Sequence, residues 1–170
     1  MNASTTPSPV QSSPVGVVFR TFQPGDEVAF RELNEAWIAK YFVMEAQDRK
    51  VLGDPVAYVL RPGGQIVMAE REGRPVGCCA LVAMGENTFE VAKMTIIESE
   101  RGLGLGKQLL QAVIDTGVAM GATRLYLETS TKLVNAIHVY ELLGFRHLPP
   151  EKVHPSPYSR ADVFMELMLA

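Results

Sequence analysis

The sequence predicts a single α/β domain, in which a mixed, mostly antiparallel central sheet of about seven strands is flanked by about four helices. The chain has 170 residues, of which 47% are hydrophobic, so it is long enough for one domain with a buried core. Runs with a two-residue apolar period alternate with runs that repeat every 3.6 residues. In chain order these runs indicate the elements β-α-α-β-β-β-α-β-α-β-β.

The chain opens with a segment that is poor in apolar residues. Residues 1–15 are rich in Ser, Thr and Pro. Such a composition buries too little apolar surface to offset the entropy that is lost on ordering. We therefore expect a disordered tail over residues 1–15 and a folded domain over residues 16–170.

The first folded elements are a strand and two helices. The run GVVFRTF at residues 16–22 predicts a strand. A helix follows behind an expected N-cap at Asp26. Its apolar face comprises Phe30, Leu33, Trp37 and Tyr41. A short second helix is predicted around residues 54–61.

The remaining elements follow from the same periodicities. A meander of three antiparallel strands is predicted at residues 65–72, 76–84 and 88–97. A helix with its apolar residues between positions 109 and 118 then leads into a strand over residues 121–130. The last helix ends at Gly144, which we expect at the C′ position. Two closing strands are predicted at residues 145–148 and 161–169.

Charge and apolar content exclude several classes of partner. The net charge is −3 at pH 7 and the sequence pI is about 5.6. Because no block is rich in Lys and Arg, we expect no nucleic-acid partner. No apolar stretch approaches the ~18 residues that span a bilayer, and the N-terminus lacks the pattern of a signal peptide. We therefore expect no membrane partner and a cytoplasmic location.

The cysteines and histidines do not form a metal motif. Cys78 and Cys79 are adjacent in the apolar run VGCCALVAM, so their side chains should point to opposite faces of a strand. We expect buried free thiols rather than a disulfide. His147 and His154 are too far apart for a local metal site, and we expect no metal.

The most informative stretch is ESERGLGLGKQLLQ. It fails the dinucleotide pattern G-x-G-x-x-G. Counted from Gly102 the last glycine would be position 107, which is Lys107, and counted from Gly104 it would be position 109, which is Leu109. It fails the Walker pattern as well, because Arg101 and Gln108 replace the required Gly and Ser or Thr. The stretch does match R-x-x-G-x-G over residues 101–106.

A loop of this kind is suited to an anion. Backbone N–H groups that lead into a helix form an anion-binding concavity, and the helix dipole adds to it. Gly104 and Gly106 let the backbone approach phosphates without a Cβ atom in the way. Arg101 and Lys107 can add charge-assisted contacts. A pyrophosphate site is one interpretation, and an ordinary glycine-rich helix start is the other.

Three segments together resemble the GNAT acetyltransferase superfamily. The R-x-x-G-x-G loop resembles its acetyl-CoA pyrophosphate loop, and EVAKMTI at residues 90–96 resembles the strand that pairs with the pantetheine arm. NAIHVYELLGF at residues 135–145 resembles the closing N-x-x-x-x-Y-x-x-x-G-F element. FQPGDEVAFRELNEAWIAKYF and PSPYSRADVFMEL are similar to a bacterial subset with an unassigned acceptor. The resemblance implies a GNAT-like fold.

The resemblance also implies acetyl-CoA as the co-substrate and direct transfer without an enzyme nucleophile. Asn135 would bond the CoA arm, and the Tyr140 hydroxyl would lie near the thioester sulfur and protonate the thiolate. A backbone N–H at residues 94–96 would stabilise the oxyanion. The implied cofactor-binding residues are Met94, Thr95, Ile96, Arg101, Gly102, Leu103, Gly104, Leu105, Gly106, Lys107, Asn135 and Tyr140.

The general base has more than one candidate. Glu90 begins the cofactor-facing strand, where several family members carry a carboxylate that takes the amine proton through water. It is our candidate, and its other interpretation is a surface carboxylate beside the turn GENT. Glu128 in YLETS competes as a second carboxylate that faces the cleft. His138 is a weaker rival, since a lone histidine on a helix is more often hydrogen-bonded than catalytic.

Acceptor recognition is expected from residues around the cofactor cleft. The candidates are Trp37, Tyr41, Glu128, Tyr158 and Arg160. Trp37 and Tyr41 also fit as core residues of the first helix. If Arg160 faces the cleft, it would bind a carboxylate bidentately and favour an amino-acid-like or otherwise acidic amine. A surface salt bridge is its other interpretation.

These features predict an acetyl-CoA-dependent N-acetyltransferase that acts on a primary amine of a small molecule. Protein N-acetylation is one alternative. A non-catalytic module that senses acyl-CoA is another. We leave open whether the chain forms a homodimer.

Overall fold

The computed structural model describes residues 11–12, 16–153 and 155–169. The strands are β1 (Gln11–Ser12), β2 (Val17–Thr21), β3 (Gln65–Arg71), β4 (Arg74–Gly85), β5 (Thr88–Ile96), β6 (Arg124–Thr129), β7 (Arg146–His147) and β8 (Val163–Met168). The helices are α1 (Glu27–Tyr41), α2 (Ala46–Gly53), α3 (Leu105–Ala119) and α4 (Val134–Leu142), with a π-helical segment at Val56–Leu60 and single 3₁₀ turns at Glu98–Glu100 and Pro150–Lys152.

The strands form one sheet in the order β1-β2-β3-β4-β5-β6-β8-β7. Every neighbouring pair is antiparallel except β5 and β6, which are parallel. The predicted mixed, mostly antiparallel sheet with about four helices is confirmed, and each of the seven predicted strands is present. The additional strand β1 falls within the predicted tail. The rest of that tail, residues 1–10 and 13–15, lies outside the described residues, so its disorder stays a prediction.

The sheet separates two apolar cores. One core packs under α3 and α4, and the other packs under α1, α2 and the π-helical segment. Strand β4 lies near the centre and buries both faces, which explains its continuous apolar run. Cys78 belongs to the second core and Cys79 to the first, so the two thiols are free, buried and on opposite faces as predicted. Burial raises the pKa of Cys78 to about 12.

Helix α1 begins where the sequence predicts, but its cap and its buried face differ from the prediction. Asp26 precedes the helix without capping it through its side chain. The Arg20 guanidinium donates to both Asp26 carboxylate oxygens, at 2.7 and 3.0 Å, and this ion pair replaces the cap. The buried face consists of Phe30, Asn34 and Ile38. Tyr41, predicted on the apolar face, is exposed.

The segment after α1 differs from its prediction. The helix predicted around residues 54–61 corresponds to the π-helical segment Val56–Leu60, and α2 precedes it where no helix was predicted. The start of α2 is held locally because the Asp48 carboxylate accepts a hydrogen bond of 2.9 Å from the backbone N–H of Glu45. Glu45 at the N-cap and Asp48 three residues later form a capping box, and this pattern can be read in the sequence.

A divergence between two strands creates the opening in which the site lies. Strands β5 and β6 are paired only over Thr88, Phe89 and Glu90. Beyond Glu90 the two strands separate, and no strand of the described residues pairs there with the edge of β5 that faces β6. The backbone N–H and C=O groups along this edge are therefore available to another molecule.

Gly144 lies at the C′ position of α4, as predicted. This glycine has φ +97° and donates its N–H to the Glu141 carbonyl at 3.1 Å, while Phe145 donates to the Tyr140 carbonyl at 3.0 Å. These two bonds form a Schellman motif, which needs a left-handed residue at C′. The motif places the aromatic ring of Phe145 5.9 Å from that of Tyr140.

The approach of β3 to the π-helical segment gives the first testable prediction. A Cβ atom on Gly64 would lie 2.6 Å from the Val59 carbonyl oxygen and closer still to that of Leu81. Gly64→Ala should therefore lower the free energy of unfolding by about 2 kcal/mol or more, as overpacking does. Urea unfolding measures this value.

The matched control is Gly53→Ala, because no atom lies within 4 Å of the Cβ position at Gly53. We expect Gly53→Ala to leave stability unchanged or to raise it by less than about 1 kcal/mol, since glycine costs entropy in a helix. Equal urea midpoints for the two variants would show that the close approach at Gly64 is wrong.

Candidate active site

A cleft of about 520 Å³ opens where β5 and β6 diverge. Its walls are the edge of β5, the glycine loop before α3, the end of β6, the start of α4 and part of α1. The cleft brings together most of the predicted site residues: Trp37, Glu90, Met94, Thr95, Ile96, Arg101, Gly102, Gly104, Leu105, Gly106, Lys107, Glu128, Asn135, Tyr140, Tyr158 and Arg160.

Two predicted site residues do not line this cleft. Leu103 is 55% exposed on the outer side of the glycine loop. The Tyr41 hydroxyl accepts a hydrogen bond of 2.9 Å from Arg101, so Tyr41 supports the loop from outside rather than forming an acceptor wall. His138, the weaker rival for the general base, is exposed and also lies outside the cleft.

The glycine loop leaves the start of α3 uncapped. Gly102 and Gly104 have φ values of +79° and +76°, which explains why glycine stands at both positions. Gly104 is the N-cap and has no side chain to cap the helix. The N–H groups of Leu105, Gly106 and Lys107 therefore have no intrahelical acceptor and meet the cleft at the positive end of the helix dipole.

Strand β5 carries a bulge in the wall of the cleft. Lys93 has φ +54°, and the register shifts between the pairs Cys78–Thr95 and Ala80–Ala92. A bulge of this kind turns backbone groups out of the strand ladder. The Arg101 guanidinium donates to the Ile96 carbonyl at 3.0 Å, which ties the glycine loop to the end of the bulged strand.

Three carboxylates line the cleft; Glu100 is paired with Arg71, and the other two, Glu90 and Glu128, lie near the point where β5 and β6 separate. Burial raises the pKa of Glu90 to about 7, with a further increase from the charge of Glu128 and a partial offset from Lys93. Glu128 accepts hydrogen bonds from the Tyr126 hydroxyl at 3.1 Å and the Ser156 hydroxyl at 2.5 Å. Glu90 is therefore close to half-protonated at neutral pH, as a general base or acid needs to be.

Tyr140 faces the same cleft from α4. It is 8% exposed, and burial raises the pKa of its hydroxyl above the ordinary value. The hydroxyl is therefore protonated at neutral pH. Within the described chain no residue accepts a hydrogen bond from it, so it can donate to a molecule in the cleft.

A fully buried carboxylate that sequence reasoning missed lies behind the cleft. Asp48 accepts hydrogen bonds from both terminal nitrogens of Arg160, at 2.9 and 2.8 Å. The Lys93 ammonium forms an ion pair with the same carboxylate and donates to the Tyr158 hydroxyl at 2.9 Å. Burial opposes ionisation of Asp48, but the bonds from Arg160 and Lys93 outweigh it and lower its pKa to about 2.

This arrangement corrects the interpretation of Arg160. The residue lines the cleft, but the bidentate contact expected with an acceptor carboxylate is made with Asp48 instead. Arg160 also bonds Glu45 at 3.2 Å and stacks on the Tyr158 ring at 4.5 Å. Its charge is therefore compensated within the protein, and the surface salt bridge expected as the alternative is a largely buried one.

Among the residues that the structure describes, no group of three or more His, Cys, Asp and Glu side chains is arranged to hold a metal ion. Within the same ranges no helix is both long and apolar enough to cross a membrane. His154 lies outside the described residues.

Comparison with known proteins gives the family of this chain. Residues 27–145 match the acetyltransferase (GNAT) family, and the chain belongs to that family. The uncharacterized N-acetyltransferase YjgM of Escherichia coli is 36% identical over 91 residues, which cover 52% of this chain and 54% of YjgM. Mycothiol acetyltransferase of Thermomonospora curvata is 31% identical over 157 residues, which cover 89% of this chain and 52% of that protein. The chain thus spans about half the length of these curated relatives.

Solved structures show the same fold. A GNAT-family acetyltransferase from Staphylococcus aureus superposes with a TM-score of 0.81 and 22% identity, covering 91% of this chain and 99% of that one. YncA from Salmonella typhimurium, solved with its cofactor acetyl-CoA, has a TM-score of 0.72 and 20% identity, covering 91% and 95% of the two chains.

The buried carboxylate gives the second prediction. Asp48→Asn leaves two largely buried cations without their counter-charge, so it should lower the free energy of unfolding by about 3–5 kcal/mol at pH 7. Because the pKa of Asp48 falls from 3.8 to about 2 on folding, this stabilisation is present above pH 4 and lost as the pH falls toward 2. Urea unfolding at several pH values measures both effects.

Asp115→Asn is the control, because Asp115 is exposed on α3. A surface change of this kind should alter stability by about 0.5 kcal/mol or less. If Asp48→Asn unfolds at the same urea concentration as the control, Asp48 does not hold the two cations.

Proposed function

We propose that the protein transfers an acetyl group from acetyl-CoA to a primary amine of a small molecule, by direct attack of the amine on the thioester. The observation that carries the proposal is the convergence of four features on one cleft. These are the uncapped start of α3, the unpaired edge of β5, a carboxylate with a pKa of about 7 and a protonated tyrosine.

The cleft fits acetyl-CoA at two places. The N–H groups of Leu105, Gly106 and Lys107 would hold the pyrophosphate, because they lack acceptors and Gly106 presents no Cβ atom. The free edge of β5 would pair with the pantetheine arm as an added strand, and Asn135 would bond the same arm from α4. YncA from Salmonella typhimurium, which shares this fold, was solved with acetyl-CoA.

The chain supplies a group for each proton movement of the transfer. Glu90 accepts the proton that the attacking ammonium group must lose, directly or through water. Backbone N–H groups near Met94, Thr95 and Ile96 stabilise the negative charge that develops on the carbonyl oxygen. Tyr140 donates its proton to the departing thiolate. Because the amine attacks directly, the buried thiols Cys78 and Cys79 take no part.

Release of CoA thiol from acetyl-CoA tests the proposal against the two alternatives. A small-molecule acetyltransferase releases thiol when small primary amines are added, whereas a protein acetyltransferase does so with peptides. A sensor module binds acetyl-CoA in a calorimetric titration and releases no thiol with either class. Homodimer formation, bacterial origin and a cytoplasmic location stay predictions.

The cofactor loop gives the third prediction. Gly106→Val places a branched side chain at the cleft wall, where the Cβ position itself makes only ordinary contacts, 3.7 Å from the Ile96 side chain. We expect acetyl-CoA affinity to fall by about tenfold or more, while the chain stays folded, because the phosphates can no longer approach the backbone. Gly104 is a poorer test position, since its φ of +76° strains any side chain.

Ala119→Val is the matched control, since Ala119 is exposed at the far end of α3. Calorimetric titration with acetyl-CoA should give wild-type affinity for this variant. Wild-type affinity in a folded Gly106→Val protein would remove the start of α3 from the cofactor site.

The carboxylate at the cleft gives the fourth prediction. Only the ionised form of Glu90 accepts a proton, and its pKa is about 7. The kcat/KM of the amine should therefore fall about tenfold per pH unit below pH 7. Glu90→Gln should lower kcat by about 100-fold or more and remove the break at pH 7, because only the free amine then reacts and kcat/KM keeps rising toward the pKa of the amine itself.

Glu86→Gln is the control, because Glu86 lies exposed in the turn that precedes β5. Its pH profile of kcat/KM should match that of the wild type. A break near pH 7 that persists in Glu90→Gln would assign the base to another group, with Glu128 the first to examine.

A further inference from the structure

We propose that the acceptor is a short diamine or polyamine, that is, a primary amine that carries a second positive charge and no carboxylate. This inference rests on the acetyl transfer proposed above and names the acceptor class. It replaces the acidic acceptor that the sequence suggested through Arg160. Three observations carry it. The cations Lys93 and Arg160 are already paired, the carboxylates Glu90 and Glu128 are not, and the buried residue Asn34 has an unpaired amide oxygen.

Two of the four cations that line the cleft are already neutralised from behind, and the other two, Arg101 and Lys107, belong to the glycine loop and the start of α3. Lys93 and Arg160 both line the cleft, but their charged nitrogens are bonded to Asp48. Asp48 is fully buried and does not line the cleft itself. Arg160 has a second carboxylate partner in Glu45, at 3.2 Å. An acceptor carboxylate would have to compete with two protein carboxylates for these groups.

Of the three carboxylates that line the cleft, Glu100 is paired with Arg71, whereas Glu90 and Glu128 have no such partner among the described residues. No Lys, Arg or His of the described residues forms an ion pair with Glu90 or Glu128. The donors to Glu128 are the neutral hydroxyls of Tyr126 and Ser156. Each carboxylate offers about four acceptor positions, so Glu128 can accept further bonds from an ammonium group.

The third observation is independent of these carboxylates. Asn34 is 1% exposed and lines the cleft from α1. Its side-chain Nδ2 donates to the Phe30 carbonyl at 2.9 Å and to the Cys78 thiol at 3.4 Å, which leaves Oδ1 as the free acceptor. Within the described residues Oδ1 has no donor. An unpaired acceptor that a buried residue presents to a cleft is suited to an N–H group of a ligand.

Glu90 and Glu128 lie far enough apart to bind two different amino groups of one acceptor. Tyr126 is the register partner of Glu90, and Glu128 follows two residues later on the same face of the sheet. At ordinary strand spacings the Cα atoms of Glu90 and Glu128 are roughly 8 Å apart. Glu90 takes the proton of the reacting amine, after which Glu128 still carries its charge. A second ammonium group on the acceptor compensates that charge, whereas an acceptor carboxylate would be repelled by both side chains.

Three acceptors of equal length test the inference on the wild-type protein. They are 1,4-diaminobutane, butylamine and 4-aminobutanoate, whose far ends are positive, neutral and negative. With CoA release as the readout, we expect kcat/KM to be highest for the diamine and lowest for 4-aminobutanoate, with about tenfold or more between diamine and butylamine.

A pair of variants locates the second ammonium group. Glu128→Gln should reduce the preference for the diamine over butylamine about tenfold, while acetyl-CoA affinity, which also reports on folding, stays unchanged. Glu141→Gln is the control, because it removes the same charge from an exposed position on α4. It should keep the wild-type preference.

The outcomes separate the two proposals. If acetyl-CoA binds but none of the three amines releases CoA, acetyl transfer to small amines is wrong and this inference falls with it. If CoA is released equally well with butylamine, or best with 4-aminobutanoate, the transfer stands and the cationic acceptor is wrong. A diamine preference that survives in Glu128→Gln also overturns the assignment of the second charge to Glu128.

Discussion

The buried carboxylate of Asp48 is the interaction on which the site depends. It joins three parts of the chain that are distant in sequence: α2 through its own backbone, β5 through Lys93, and the segment before β8 through Arg160. Lys93 is also the residue with positive φ in the bulge of β5. The ion pairs of Asp48 therefore fix both the bulge and the segment that carries Arg160, and neither can move without separating charges in the protein interior.

The cleft itself follows from the one parallel pair in the sheet. The helix α3 must cross over to connect β5 and β6 in parallel, and its first turn comes to lie beside the point where the strands separate. The uncapped N–H groups and the free strand edge are thus consequences of a single connection. The Schellman motif at Gly144 then seats Tyr140 opposite this opening.

Sequence reasoning recovered the parts that are encoded locally. The strands, α1, α3, α4, the glycine loop and the C′ position of Gly144 all follow from periodicity or turn chemistry, and they agree with the structure. The placement of Arg160 could not be predicted, because its partner Asp48 is 112 residues away and belongs to α2, a helix that was not predicted. The capping-box pattern at Glu45 would have located α2, but no local pattern shows which cations a buried carboxylate binds.

The two buried thiols have a practical consequence for measurement. Cys78 and Cys79 are enclosed in opposite cores, and burial raises the pKa of each thiol far above neutrality. A thiol-reactive dye attacks the thiolate and needs access to it, so the folded protein contributes little colour of its own in an assay of free CoA. On unfolding, both sulfurs become reactive together. The same dye thus reports turnover while the protein is folded and loss of the fold once both cores open.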